Sequence, residues 1–268
     1  MNNATKDKKS IVTPRESKLN QFLSQINRSF AISKKNVKIY YNKGPVAIQG
    51  IAFPIILFFA FTIGRQIEPP HVVSGLVSLI IFLTSTSIAP IVFPWETRDK
   101  TLEKLITCPI SIKTIVLGDI WGSFFFGVLF SIFPLIIGIV LLSLWNALNI
   151  GIMIVAIIVA AFAFSCFSSI LSVPPSDTPS YTMILTIIVK FPLIFLSGIF
   201  GSIESAPYSI FSPVTYFTDI INFGFTGSSA FGPLGVLLDF AVLLTFGFGF
   251  LGLSLYFHGK VLQKRFTA

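Results

Sequence analysis

The sequence predicts an all-α membrane protein: six transmembrane helices, an N-terminal amphipathic interfacial helix, a short cytoplasmic helix and an outer re-entrant or interfacial helix. Three observations carry that prediction. The 268 residues are 53% hydrophobic and only 11% charged, where a soluble domain carries roughly 25% charge. The apolar residues fall in uncharged runs long enough to cross a bilayer. The basic residues collect on one side of those runs.

Residues 1–18 are polar and poor in large apolar side chains, which predicts a disordered cytoplasmic tail. Over 19–43, Leu19, Phe22, Leu23, Ile26, Phe30, Val37 and Tyr41 recur at helical spacing, with Arg28, Lys34, Lys35 and Lys38 between them. Such a basic amphipathic helix lies in the membrane interface with its cations toward lipid headgroups. Residues 44–268 then hold the spans. The first occupies 44–64 and the second 69–95. The uncharged stretch 120–176 fits two more, joined near Trp145-Asn146-Ala147-Leu148-Asn149 and closed by Pro174-Pro175-Ser176-Asp177. A fifth covers about 181–201 and a sixth about 233–257. With the N-terminus inside, 17 of the 19 Lys and Arg are cytoplasmic, so the net charge of +8 is an orientation signal. Both termini are then cytoplasmic and the protein is multi-pass. This distribution also excludes nucleic acid as a partner.

Two segments do not span. Residues 96–107 predict a short cytoplasmic helix with Leu102, Leu105 and Ile106 on one face and charges elsewhere, stopped by Pro109. The outer segment 203–232 predicts a short helix dipping into the outer leaflet, with Ser212 as N-cap, Pro213 at the first position and Gly224 at its end.

Chemistry-bearing residues are few. The one Gly-Lys pair, Gly259-Lys260, lacks the rest of a phosphate loop. Two cysteines and two histidines exclude a disulfide framework and argue against a metal cluster. No cofactor is expected. Lys190 sits about nine residues into the fifth span, ~13 Å deep. Asp239 is its nearest counter-ion by depth, either as a structural pair or as an ion or substrate contact. Asp119, opening the third span, is expected to be hydrated. Gly118-Asp119-Ile120-Trp121-Gly122 and the stripe Ala156, Ala160, Ala163 read as helix-packing surfaces.

These elements together resemble the permease subunits of type-2 ATP-binding-cassette (ABC) transporters. The likeness runs from about residue 20 to 265. Its most specific part is the family's E-x-E-x-G-T-L-E-x-L-L-x-x-P pattern, matched here by Glu96, Arg98, Asp99, Lys100, Thr101, Leu102, Glu103, Leu105, Ile106 and Pro109, then Ile115 and Gly118. A second part is Phe195-Leu196-Ser197-Gly198, followed by Pro207 and by Ser212 to Asp219, including Pro213, Thr215 and Tyr216. Lys100 stands in place of the family's Gly and Asp119 in place of its basic residue. Gly201 stands where Pro is common, and the Arg after the Asp is missing.

The resemblance implies that 96–107 is a coupling helix seated in a groove of a separate ATP-binding subunit. Glu96, Arg98, Glu103 and Lys104 would form its rim, Leu102 and Leu105 its anchors, with Thr101 at its start. It also implies that ATP is bound by that partner, that two permease copies or a paired permease form the pathway in the cell membrane, and that transport runs outward. The aromatic spans (Phe124, Phe125, Phe126, Phe130, Phe133) favour an amphiphilic or lipid-linked cargo. The alternative is a gradient-driven secondary transporter or channel working through Lys190 and Asp239. A membrane scaffold or lipid-modifying enzyme is a third class, the latter lacking convergent catalytic groups.

Overall fold

The computed structural model describes residues 18–40, 44, 48, 52–64, 66–108, 110–143, 146–173, 178–200 and 207–267. The expected tail therefore lies outside the described residues, as do Pro109, Trp145, the 174–177 turn, Gly201, most of 41–51 and residues 203–206 of the outer segment. The described helices are α1 (Lys18–Tyr40), α2 (Phe53–Thr62), α3 (Pro69–Ser85), α4 (Ala89–Arg98), α5 (Thr101–Thr107), α6 (Ile112–Leu141), α7 (Ala147–Leu171), α8 (Pro179–Phe195), α9 (Pro213–Thr226) and α10 (Gly235–Thr267). A 3₁₀ turn, Pro207–Phe211, precedes α9.

Four segments among the described residues are long and apolar enough to cross a membrane: Pro69–Arg98, Ile112–Leu141, Leu148–Leu171 and Gly235–Val261. Helix α8 is apolar but shorter; of the expected first span α2 covers Phe53–Thr62, and residues 45–47 and 49–51 lie outside the described residues. An outward band of exposed apolar side chains, including Phe59, Phe133, Ile137, Leu237 and Phe248, matches a lipid-facing surface. The core sits where α3, α6, α7, α9 and α10 meet, around Phe82, Phe164, Phe217 and Leu243.

The expected second span is not one helix. It breaks at Thr86–Ile88, between α3 and α4. The cause is in the sequence: Pro90 has no N–H to give the carbonyl four residues back, Thr86 O. The hydroxyls of Thr84, Thr86 and Ser87 bond instead to the Ile80, Phe82 and Leu83 carbonyls of their own helix, at 2.6, 2.6 and 2.9 Å.

Small residues set the closest approaches. A Cβ on Gly118 would lie 2.7 Å from Ile32 and 3.0 Å from Ser29 O, so the first glycine of the G-x-x-x-G motif seats α1 on α6 within the chain. Ala156, Ala160 and Ala163 are fully buried in the same bundle. The face of α1 turned to α6 is Ser29, Ile32, Ser33 and Asn36, while Leu23, Phe30 and Ile39 of the amphipathic helix remain exposed. Helix α9 continues past Gly224, which lies against Met153, and stops at Gly227, whose φ of +77° suits a glycine. Its whole first half is buried against α3, α7 and α10, so it enters the bundle rather than lying on its surface.

Candidate functional site

The cytoplasm-predicted connection is shorter and more firmly held than its sequence suggested. Residues 96–98 complete α4, and the separate helix is α5, Thr101–Thr107. Between them Lys100 adopts φ 54° and ψ 21°, the left-handed conformation. The family's Gly at this position is thus explained by backbone geometry, since an L-residue carries a steric cost there. Thr101 Oγ1 donates to Glu96 O at 3.2 Å, closing the turn.

Leu102 is buried against Ile32, Phe93, Ile115 and Ile120 of its own chain, with Leu105 partly buried at the edge of the same cluster. Leu102 thereby anchors α5 to the bundle instead of projecting from it. Arg98, Asp99, Lys100, Glu103 and Lys104 stay exposed, and Arg98 Nε meets Asp99 Oδ1 at 3.3 Å.

Glu96 departs from its expected place on the exposed rim. It is buried and ion-paired with Lys35 of α1. Asp119 is likewise buried, not hydrated, and accepts a hydrogen bond from Asn36 Nδ2 on the next residue of α1. Burial of an unpaired carboxylate is costly, and α1 supplies the donors that offset it. About three turns back along α1, Gln25 Oε1 accepts from Thr114 Oγ1, beside Ser111, whose side chain caps α6 by accepting from Thr114 N at 3.2 Å. Helix α1 is therefore fastened by polar bonds to the end of α4 and the start of α6, the two helices that carry α5. Sequence reasoning missed this network. Its only signal was a pair of acids, Glu96 and Asp119, too close to apolar runs to be solvated.

A second polar cluster joins α7 to α10. His258 Nε2 lies 2.9 Å from Ser169 O and its ring stacks on Phe93 at 4.7 Å, while the Ser169 and Ser254 hydroxyls meet at 2.7 Å.

The structure does not bring Lys190 and Asp239 together. Lys190 Nζ donates to Thr86 O at 2.7 Å, the carbonyl that Pro90 leaves free. Asp239 instead lies beside Asp219 of α9, and neither of its oxygens has a hydrogen-bond partner among the described residues.

The outer-segment residues do local work. Asp219 accepts from Ser229 Oγ at 2.5 Å and Ala230 N at 3.0 Å, fixing the chain after Gly227. Thr215 Oγ1 donates to Ser209 O at 2.6 Å and accepts from Gly198 N at 3.2 Å. Tyr216 Oη donates to Ile210 O at 2.9 Å, and its ring stacks on Phe231. Pro213 opens the helix; Ser212 does not cap it, because its hydroxyl donates to Leu193 O at 2.8 Å.

An all-helical bundle with several apolar spans, a broken second span and a short charged helix clamped between two of them defines a polytopic membrane protein. The family described as ABC-2 type transporter matches residues 21–226, and the chain belongs to it. It is the membrane domain of an ABC transporter, a permease component and not itself a nucleotide-binding enzyme, and such domains work with ATP-binding subunits. No curated protein matches the chain.

Proposed function

We propose that this permease is the exporting half of an ATP-driven transporter: two copies, or this chain and a paired permease, form the pathway in the cell membrane. A separate ATPase binds the nucleotide and docks on α5. The α5 end of the bundle then faces the cytoplasm with both chain termini, a placement that the distribution of Lys and Arg supports.

The observation that supports this reading most is the mounting of α5. Its apolar side is locked into the bundle through Leu102, two residues separate it from the end of α4 and four from the start of α6, and the charges around it are exposed. A helix so held transmits a displacement to two spans at once, and its free charges suit a polar interface rim. Because Leu102 is a core residue, the informative substitutions are on the exposed face.

The experiment is affinity purification of the full-length chain from its native membranes, with Glu103→Lys/Lys104→Glu as the comparison. The expected result is a stoichiometric ATP-binding chain with the native protein, and several-fold less of it with the reversed pair at unchanged thermal stability. Absence of any ATP-binding chain, or equal recovery with both, overturns the docking reading.

A further inference from the structure

Lys190 is 3% exposed and sits eleven residues into α8, about 17 Å along the helix from Pro179. An ammonium has three N–H donors. One is used, toward Thr86 O. Of the acids in the described spans, Glu96 is paired with Lys35 and Asp119 with Asn36, while Asp239 lies beside Asp219 and makes no ion pair with Lys190. Among the described residues no carboxylate reaches Lys190, so the buried amino group, when protonated, keeps two spare donors and no counter-charge.

Satisfying a backbone carbonyl does not need a charge. Along α8 the same face carries Thr182 and Thr186 at four-residue steps, all three buried, so hydroxyl side chains were available for that task on this helix. Lys190 also lines a cavity of about 80 Å³ with Ile48, Phe53, Leu83, Ile187 and Phe191, room for a small polar group. Every other wall is apolar. Charges within spans mark ligand pathways, and interrupted helices lie at binding sites in membrane transporters.

We infer that Lys190, at the break of the second span, is a binding site for the anionic head of an amphiphile, a phosphate or carboxylate, whose alkyl part lies along the apolar walls. That this ligand is cargo rests on the permease reading above; the binding itself does not.

The test is equilibrium binding of labelled dodecyl phosphate to the purified full-length chain in nanodiscs of neutral phosphatidylcholine, with no ATPase present, so failure of the docking reading leaves it unaffected. Dodecanoate and dodecanol serve as competitors, the first to distinguish carboxylate from phosphate, the second to remove the charge. The decisive variant is Lys190→Gln, which removes the charge but keeps an N–H donor on a side chain one bond shorter, with Lys190→Arg as the charge-keeping control.

Dodecyl phosphate, dodecanoate or both should outcompete dodecanol at least about tenfold on the native chain and on Lys190→Arg, the effect of one charge-assisted hydrogen bond. Lys190→Gln should remove that preference while still binding dodecanol. No preference on the native chain, or a preference that survives Lys190→Gln, overturns the inference. A lower melting temperature for Lys190→Gln with no anion preference in the native chain assigns Lys190 to the helix break alone, and overturns it too.

Discussion

Removing Lys35 should destabilise the protein more than removing the charge of Glu96, although the two form one ion pair. The Glu96 side chain is 1% exposed and that of Lys35 is 30% exposed. Lys35→Met leaves a carboxylate buried without its cation. Breaking a buried pair in this way costs about 3–5 kcal/mol, and water entering at the half-open Lys35 position brings the expected cost to about 3 kcal/mol. Glu96→Gln leaves an ammonium that turns toward solvent and keeps an amide oxygen as acceptor, a loss of about 1 kcal/mol. At about 2–4 °C per kcal/mol for a chain of this size, the melting temperature should fall by roughly 6–12 °C for Lys35→Met and by roughly 2–4 °C for Glu96→Gln.

The double variant should be milder than the sum, because with no charge at position 96 the loss of Lys35 strands nothing. Thermal unfolding in detergent, followed by the fluorescence of Trp95 and Trp121, reads this directly, since both indoles neighbour the network in sequence. Equal losses, the reverse order, or strict additivity of the two substitutions would refute the reasoning that α1 exists in part to neutralise the α4 end.

Two further outcomes follow from backbone and packing geometry. Lys100→Gly should raise stability by about 1 kcal/mol, or a few degrees in the same melting experiment, because it relieves a left-handed residue at φ 54°; a loss of stability would mean that the Lys100 side chain contributes more than its backbone costs. Gly118→Ala should lower stability by about 1–3 kcal/mol, since its Cβ would meet Ile32 at 2.7 Å and Ser29 O at 3.0 Å, forcing α1 off α6; a neutral result would show that the α1–α6 contact yields without strain.

What the sequence made legible was whatever repeats at a local period or accumulates along the chain. Uncharged runs located α3, α6, α7 and α10, and the Thr101–Glu103–Leu105 pattern pointed to a separate helix between α4 and α6. The partners of the buried charges were not legible. Lys35 finds Glu96 across 61 positions and Asn36 finds Asp119 across 83; no spacing rule reaches that far, and matching by depth alone assigned Asp239 to Lys190 when each had a nearer neighbour. The break in the second span is the instructive case. Pro90 is in plain view, and four residues back its missing N–H frees the Thr86 carbonyl. Taking a proline inside an apolar run as a backbone acceptor in want of a donor turns the question from which acid Lys190 pairs with to which carbonyl needs it, and the structure answers that question at 2.7 Å. The buried polar residues of a membrane bundle are thus better read from the backbone groups a sequence leaves unpaired than from the charges it appears to match.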